Sequence, residues 1–485
     1  MPLLVLGASL VTLLSMGSLA SSCIDLERSS LLKFASELSQ DGGLIISWEN
    51  ATDCYKWEGI TCSADRTVSD VSLASRSLQG FISASLGNLT SLLCLNLSHN
   101  LLSGGMPPEL LSSHSIVVLD VSFNQLSGCL QQLQSSSLVP LQVLNISSNL
   151  FTGWFPSTTL EAMGNLVAVN ASNNSFTGQI PTTFCSSAPS FSVLELSYNQ
   201  FNGSIPPELG NCSKLTSLNV GHNNLSGTIP NELFNLTLLE HLSFTSNQLE
   251  GSLSDMSKLT NLVTFDLGAN GLCGNIPDSI GEIPSELMEM SMLKTDKVAS
   301  MVFELPVYAL YTPQSLEYRM PGTFPKVINL GINNFTGVIP KKIGQLKALL
   351  SLNLSSNRLS GGIPQSLCNL INLQVLDLSG NHLTGEIPSE LNNLHYLSQF
   401  NVSNNDLEGS IPISGQLSTF TSSSFDGNPR LCGPMLPQHC GSIEAVFTTE
   451  VRIQTDEKVI FAIVFSTFFS VGVLYDRIVL SRFLC

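Results

Sequence analysis

The side chains best suited to chemistry in this sequence are seven histidines, twelve cysteines and 37 acidic residues, and their spacing does not build a reaction centre. General acid–base work needs titratable groups within hydrogen-bond reach of one substrate. The histidines are scattered instead. His99 and His222 directly precede an asparagine that recurs along the chain, and His382 directly follows it. Equivalent positions elsewhere hold Ser, Phe or Tyr, which marks these histidines as surface strand-edge residues. Asp120, Asp266 and Asp377 fall in one register with Asn and Glu, the pattern of a recognition row and not of a catalytic carboxylate pair. No CxxC…CxxC or His/Cys cluster has zinc spacing, so neither metal nor cofactor is expected. The formal charge of −17 argues against a nucleic-acid partner, which needs a basic stripe. Binding without a reaction is the chemistry left to these residues.

The elements that position them follow one repeat with a period near 24. Segments such as LLCLNLSHNLLSGGMPPEL, SVLELSYNQFNGSIPPEL and LQVLDLSGNHLTGEIPSEL share the pattern LxxLxLSxNxLSGxIPxxLxxL. The recurring asparagine runs from Asn100 and Asn124 to Asn381 and Asn405, and a first, divergent unit carries Arg76 in its place, making thirteen units. In LxL, two leucines share one face of a short strand because side chains alternate. The asparagine can bond otherwise orphaned backbone groups of the buried turn and of the next coil. The Gly after LS permits a tight bend, and Ile-Pro runs on as an extended or 3₁₀-like segment. One unit cannot bury its leucines, whereas a stack can. The expected fold is an α/β solenoid, a right-handed superhelix with a parallel sheet on its concave side.

These SGxIPxxL units resemble the plant-specific leucine-rich repeats of receptor kinases and receptor-like proteins, from about Cys23 to the C-terminus. The resemblance implies capped ends. Residues 23–67 carry Leu26, Leu31, Leu32, Phe34 and Leu38 at helical spacing, with Trp48 and Trp57 to complete a plug. They resemble the family's N-terminal cap, whose usual Cys-Cys pair is Cys54-Tyr55 here. Either Cys23 pairs with Cys54 and Cys62 stays free, or Cys54 pairs with Cys62. Residues 420–443 resemble the C-terminal cap, with Cys432 and Cys440 as its pair. Cys94 and Cys485 are expected to be unpaired. Repeats fill 68–281 and 327–419.

Twelve cysteines and thirteen N-x-S/T sequons fit an oxidising, glycosylating compartment. Glycans are expected at Asn50, Asn88, Asn202, Asn211, Asn224, Asn235 and Asn334. The sequons at Asn96, Asn145, Asn170, Asn353 and Asn401 are by-products of the LNLS-type repeat pattern. Asn173 completes the set.

Between Asn270 and Asn333 the step is 63 residues. The insertion, 282–326, breaks the leucine register. A non-repeat insertion beside a sheet is a plausible ligand platform. It resembles the island of plant receptors for tyrosine-sulfated peptides. The candidate ligand contacts are Lys294, Lys297, Phe303, Tyr308, Tyr311, Tyr318 and Arg319, with Asp266 and Asn329 on the flanking strands. Ile276 and Ile283 head two IP segments only seven residues apart, which implies that repeats are missing around Gly281–Glu282.

Residues 1–22 read as a secretory signal peptide. After a juxtamembrane stretch, 444–458, Val459 to Leu474 carry no charge over 16 residues; as a helix they would extend about 24 Å. A membrane helix is therefore expected over 459–480, with a short cytoplasmic tail, 481–485. No kinase Gly-rich loop, HRD or DFG occurs. The expected function is a single-pass plasma-membrane receptor-like protein that binds a peptide or protein and signals through a co-receptor kinase. The alternatives are a secreted inhibitor of a microbial hydrolase or a truncated, non-signalling decoy. An enzyme is not expected.

Overall fold

The computed structural model describes residues 24–49, 53–131, 138–282, 307–309, 316–318, 326–412 and 415–440. These residues stack as successive coils in one unit, Met1–Cys440. Each coil contributes a short strand to a fourteen-stranded sheet whose strand order follows the sequence. Its first pair, Ile60–Cys62 with Val68–Ser72, is antiparallel, and every later pair is parallel. The middle residue of each LxL-type strand points inward: Leu95, Leu119, Leu194, Leu242 and Leu376 are all fully buried. Its two neighbours line the outer face in two rows. One row includes Cys94, Val118, Val143, Ala168, Val193 and Ser217; the other includes Asn96, Asp120, Asn145, Asn170, Glu195 and Asn219.

The stretch around LSG does more than bend. It forms further sheets: eleven strands from Leu38–Gln40 to Asn334–Thr336, parallel except for the first pair, in which the cap strand Leu38–Gln40 runs antiparallel to Gln79–Phe81, and four parallel strands from Ser360–Gly362 to Arg430–Cys432. The repeat pattern alone implies only an extended segment here. The glycine is the reason the layer fits. Gly104 sits at φ +80°, and a Cβ there would lie 2.4 Å from the Phe81 ring of the preceding coil. After Ile-Pro the chain turns into 3₁₀ helices such as Pro207–Asn211 and Gln365–Asn369, which bury the leucines of the closing LxxL.

The recurring asparagine joins coil to coil. Asn124 donates from Nδ2 to the carbonyls of Leu97, Val121 and Ser122 at 3.0–3.1 Å, and its Oδ1 accepts from the Leu102 N–H at 2.9 Å. The ladder extends past Asn405 to Asn428, inside the predicted C-terminal cap. That cap thus continues the stack, with Arg430–Cys432 pairing with Asp406–Ser410. At the first unit Arg76 cannot play this part. It forms an ion pair with Glu58 of the N-terminal cap instead.

The cap begins with a helix, Asp25–Glu37, that buries Leu31, Phe34 and Ala35. Leu26 is 56% exposed and no part of the plug, because it lies on the helix face turned from the first coil. Trp48 and Trp57 stack with ring centroids 4.9 Å apart. The buried Glu27 carboxylate accepts the Val68 N–H, tying the cap helix to the start of the strand Val68–Ser72. Cys54 is disulfide-bonded and Cys62 is free, which removes the Cys54–Cys62 pairing. Burial and the nearby Glu27 push the Cys62 thiol up, so it stays protonated. Cys23 lies outside the described residues. Cys432 and Cys440 are bonded. A further bond, Cys185–Cys212, was not anticipated; it joins two neighbouring coils with Cα atoms 5.1 Å apart. Cys94 is free.

Among the described residues no helix is long and apolar enough to cross a membrane. The predicted signal peptide, 1–22, the juxtamembrane stretch, 444–458, the span, 459–480, and the tail, 481–485, lie outside them.

Candidate ligand-binding face

The insertion leaves the stack between two strands that remain hydrogen-bonded neighbours. Thr264–Asp266 pairs with Val327–Asn329 in the register Thr264↔Val327, Phe265↔Ile328 and Asp266↔Asn329. The ladder crosses the same point: Asn333 donates to the Leu267 carbonyl at 3.0 Å and accepts from the Leu272 N–H at 3.1 Å. On the far side Lys342 reaches Glu282 at 2.8 Å. The 3₁₀ helix Asp278–Glu282 therefore packs directly on Lys341–Gln345. The second IP segment, beginning at Ile283, lies outside the described residues.

Within the insertion, Val307–Ala309 and Leu316–Tyr318 pair as an antiparallel ladder, with Tyr308 opposite Glu317 and Val307 opposite Tyr318. Two of the expected tyrosines, Tyr308 and Tyr318, thus lie on one antiparallel ladder. Lys294, Lys297, Phe303, Tyr311 and Arg319 lie outside the described residues. At its base, Lys326 is half-buried, and burial lowers its ammonium below the usual lysine range.

Asp266 is not the open contact that its register suggests, being only 3% exposed. Like its counterparts in other coils, it folds back on its own turn and accepts from the Gly268 N–H at 3.1 Å. It also accepts from Asn329 Nδ2 at 2.8 Å, so its role is to orient Asn329, which is half-buried. Burial pushes the Asp266 carboxyl up to about 6. The same cause pushes Glu195 up to about 8, against a 3.1 Å hydrogen bond from Ser217. Asp120 is also raised by burial, partly offset by hydrogen bonds from Ser122 and Asn145. Among the described residues no group of three or more His, Cys, Asp or Glu is placed to hold a metal ion.

Two stacked pairs border this face: His99 on Phe123 with centroids 4.3 Å apart, and Tyr198 on His222 at 4.0 Å. All four occupy the residue before the ladder asparagine, which adopts a left-handed backbone with φ of +53 to +55°. The signal for them was in the sequence, as SHN, SFN, SYN and GHN in register. What a linear reading lacks is that consecutive units set their rings face to face.

Of the sequons expected to carry glycans, Asn88, Asn202, Asn211, Asn224 and Asn235 are exposed and Asn334 is half-buried. Asn50 lies outside the described residues. Asn145 and Asn170 are buried on the sheet, with side chains accepting from Ser147 and Ser172.

Comparison with known proteins agrees with this architecture. Residues 24–63 match the leucine-rich-repeat N-terminal domain, and residues 91–113, 165–187, 190–212, 214–236 and 326–383 match leucine-rich-repeat models. Receptor-like protein 3 of Arabidopsis thaliana is 38% identical over 105 residues, which is 21% of this chain and 14% of that protein. Phytosulfokine receptor 1 of Arabidopsis thaliana is 34% identical over 110 residues, 22% of this chain and 11% of the relative. The matched segments thus span a small part of these relatives. The crystal structure of a TDR receptor superposes with a TM-score of 0.61 at 28% identity, covering 75% of this chain and 55% of that one. The chain is a leucine-rich-repeat protein with a leucine-rich-repeat N-terminal domain, homologous over its repeats to plant receptor-like proteins and receptor kinases.

Proposed function

We propose that this chain is a cell-surface receptor-like protein that binds a peptide or protein ligand on the concave face of its long sheet, beside the insertion. In this reading it is anchored by residues 459–480 and signals by recruiting a partner kinase. The observation that supports it best is the unbroken sheet and asparagine ladder across the insertion. They hold Asp266 and Asn329 as direct neighbours across a long, Tyr-bearing insertion, on a face that carries amides and carboxylates in register. Such a face reads a ligand by hydrogen bonding and shape, with no reacting group required. Relatives named as receptors are consistent with it.

The test uses the full chain expressed in leaf cells. Short random peptides are selected against it, and the selected peptides are measured on the Asn329→Ala variant. The reading expects binding that weakens about tenfold in that variant, recovery of the chain with integral membrane proteins, and ligand-dependent co-precipitation of a kinase. Full recovery in the extracellular fluid, with no peptide selected, would turn the reading toward the secreted inhibitor.

A further inference from the structure

The eleven-stranded LSG sheet is electrically neutral over most of its length. Its strands from Gln79–Phe81 to Asn224–Thr228 hold no Asp, Glu, Lys or Arg, in a chain with 20 basic and 37 acidic residues. On this surface stands Trp154, 79% exposed, while the other two tryptophans, Trp48 and Trp57, are buried. An indole so open to water needs a reason, because tryptophan normally buries its large apolar body or keeps it for a contact.

The indole does not project loosely. A Cβ placed on Gly178 of the following coil would lie 3.2 Å from Trp154 Cδ1, 3.3 Å from Cγ and 3.4 Å from Nε1. Three atoms of the five-membered ring at nearly one distance mean that the ring lies face down on the glycine. Its other face is turned to solvent. Gln179 repeats the arrangement one coil further, with its terminal amide laid over Gly203. Hydroxyls and amides surround these two flat groups. Thr152 shares the strand of Trp154, Ser175 and Thr177 stand opposite on the next strand, and Gln200 follows on the one after. The negative face of an aromatic ring favours weakly positive C–H bonds or a cation. No carboxylate stands on these strands to help hold a cation. A neutral pyranose suits the site: it lays a C–H face on the ring and points hydroxyls outward to the amides and hydroxyls around it.

The sequence itself places a sugar here. Asn202-Gly203-Ser204 is an N-x-S sequon, and Asn202 is exposed. Gly178, beneath the indole, is the register partner of Phe201, the residue before Asn202. One strand across and one residue along separate them, about 6 Å at spacings of about 4.8 Å and 3.4 Å. The opposite side is less open. Asn224, the register partner of Asn202, heads a second exposed sequon, and on the strand after it Glu250 ends the neutral stretch. We propose that Trp154 is the seat of the chain's own N-linked glycan at Asn202, whose first N-acetylglucosamine lies with its C–H face on the indole. One ring contact would hold a free sugar weakly, but a tether this short supplies a high effective concentration. The glycan then covers the apolar ring and is pinned to the LSG side, away from the long sheet. This inference rests on the cell-surface part of the reading above, because only a chain passing through a glycosylating compartment receives the sugar.

With Trp48 and Trp57 buried, acrylamide quenching of tryptophan fluorescence reports chiefly on Trp154. The full chain is expressed in leaf cells, and occupancy at each sequon is read by mass spectrometry. Ser204→Ala removes the sequon while keeping Asn202, and Asn202→Gln removes it by a second route. One indole face already rests on Gly178, so a sugar on the other should make wild type about twofold less quenched than either variant. Asn224→Gln should leave the wild-type value unchanged. Equal quenching of wild type and Ser204→Ala would overturn the proposal, as would a bare Asn202 in protein glycosylated at Asn88, Asn211 and Asn235. So would weak quenching in all forms together with a dimer that Trp154→Ala dissociates, since a second copy would then be the occupant. In each of these cases the receptor reading stands. Sugar at no sequon would overturn both, the cell-surface reading first.

Discussion

A single ladder asparagine illustrates how much one side chain can hold in a solenoid. Asn124 satisfies three carbonyls and one N–H belonging to two coils. Asn124→Ala leaves the buried Leu102 N–H without its acceptor, whereas the Leu97, Val121 and Ser122 carbonyls still accept from Asn100, Asn149 and His99. The change should cost about 2 kcal/mol, within the desolvation penalty of about 1–3 kcal/mol for one orphaned buried group. Because repeats couple mainly to their neighbours, the loss should be local: hydrogen exchange should accelerate at Leu97–Leu102 and stay unchanged near Asn381. Glu195 supplies a different residue-scale test. Its carboxyl titrates at about 8 in the fold against an ordinary 4.5, so between those values the folded chain holds a proton that the unfolded chain has lost. Stability from this group is complete below about pH 4.5 and falls as pH rises through 8. Thermal denaturation should show the melting temperature dropping across that window, with Glu195→Gln flattening the slope. A slope that persists in the variant would place the titration elsewhere. The sequence put Glu195 in the outward row, which is correct, but not its burial. That comes from Ser217 and Asn219 on the adjoining strand, a cross-coil contact that periodicity does not encode.

At the scale of elements, the insertion was legible because it stopped repeating, and its consequences for the sheet were not. A 63-residue step could have opened the stack; instead Asp266 faces Asn329 as if the two coils were consecutive. The repeat already contains everything that holds neighbours together, namely the LxL strand, the ladder amide and the SG strand. Excising 283–325 and joining Glu282 to Lys326 through a short glycine-serine linker should therefore leave the melting temperature within about 2 °C, because the paired strands and the ladder amide already join the two coils and closure entropy changes slowly with the length of a connection. A large drop, or loss of Asn333–Leu272 protection in hydrogen exchange, would show that the insertion holds the stack closed. The LSG sheets were missed for a related reason. Strands were read from alternating apolar residues, and here the signal is a glycine with positive φ, whose missing Cβ admits Phe81 over Gly104 or Trp154 over Gly178. The C-terminal cap hid its continuation likewise: Asn428 completes the ladder although the leucine spacing around it has lapsed.

On the scale of the whole molecule, sugars test the two-sided construction directly. Sequons are chemically equivalent before folding, yet a glycan on Asn145 or Asn170 cannot coexist with the folded sheet. Those side chains are 0% and 2% exposed and hold Ser147 and Ser172 on the outer face. Asn88, Asn211 and Asn235 instead end 3₁₀ helices on the opposite side, and Asn202 and Asn224 lie on the SG strands, all exposed. Enzymatic deglycosylation, in ¹⁸O-water, of the full chain expressed in leaf cells should convert these exposed asparagines to labelled aspartate and leave Asn145 and Asn170 unlabelled. A labelled Asn145 in folded protein would mean that the LNLS face is not the packed, internally bonded surface described here, and the recognition rows would have to be reassigned. Unlabelled Asn96, Asn145, Asn170, Asn353 and Asn401, all on the outer row of the long sheet, together with labelled Asn88, Asn211 and Asn235 would mean that sugar is confined to the helical and SG sides. The long sheet would then stay bare for a ligand to reach, and that bare surface holds Asn329.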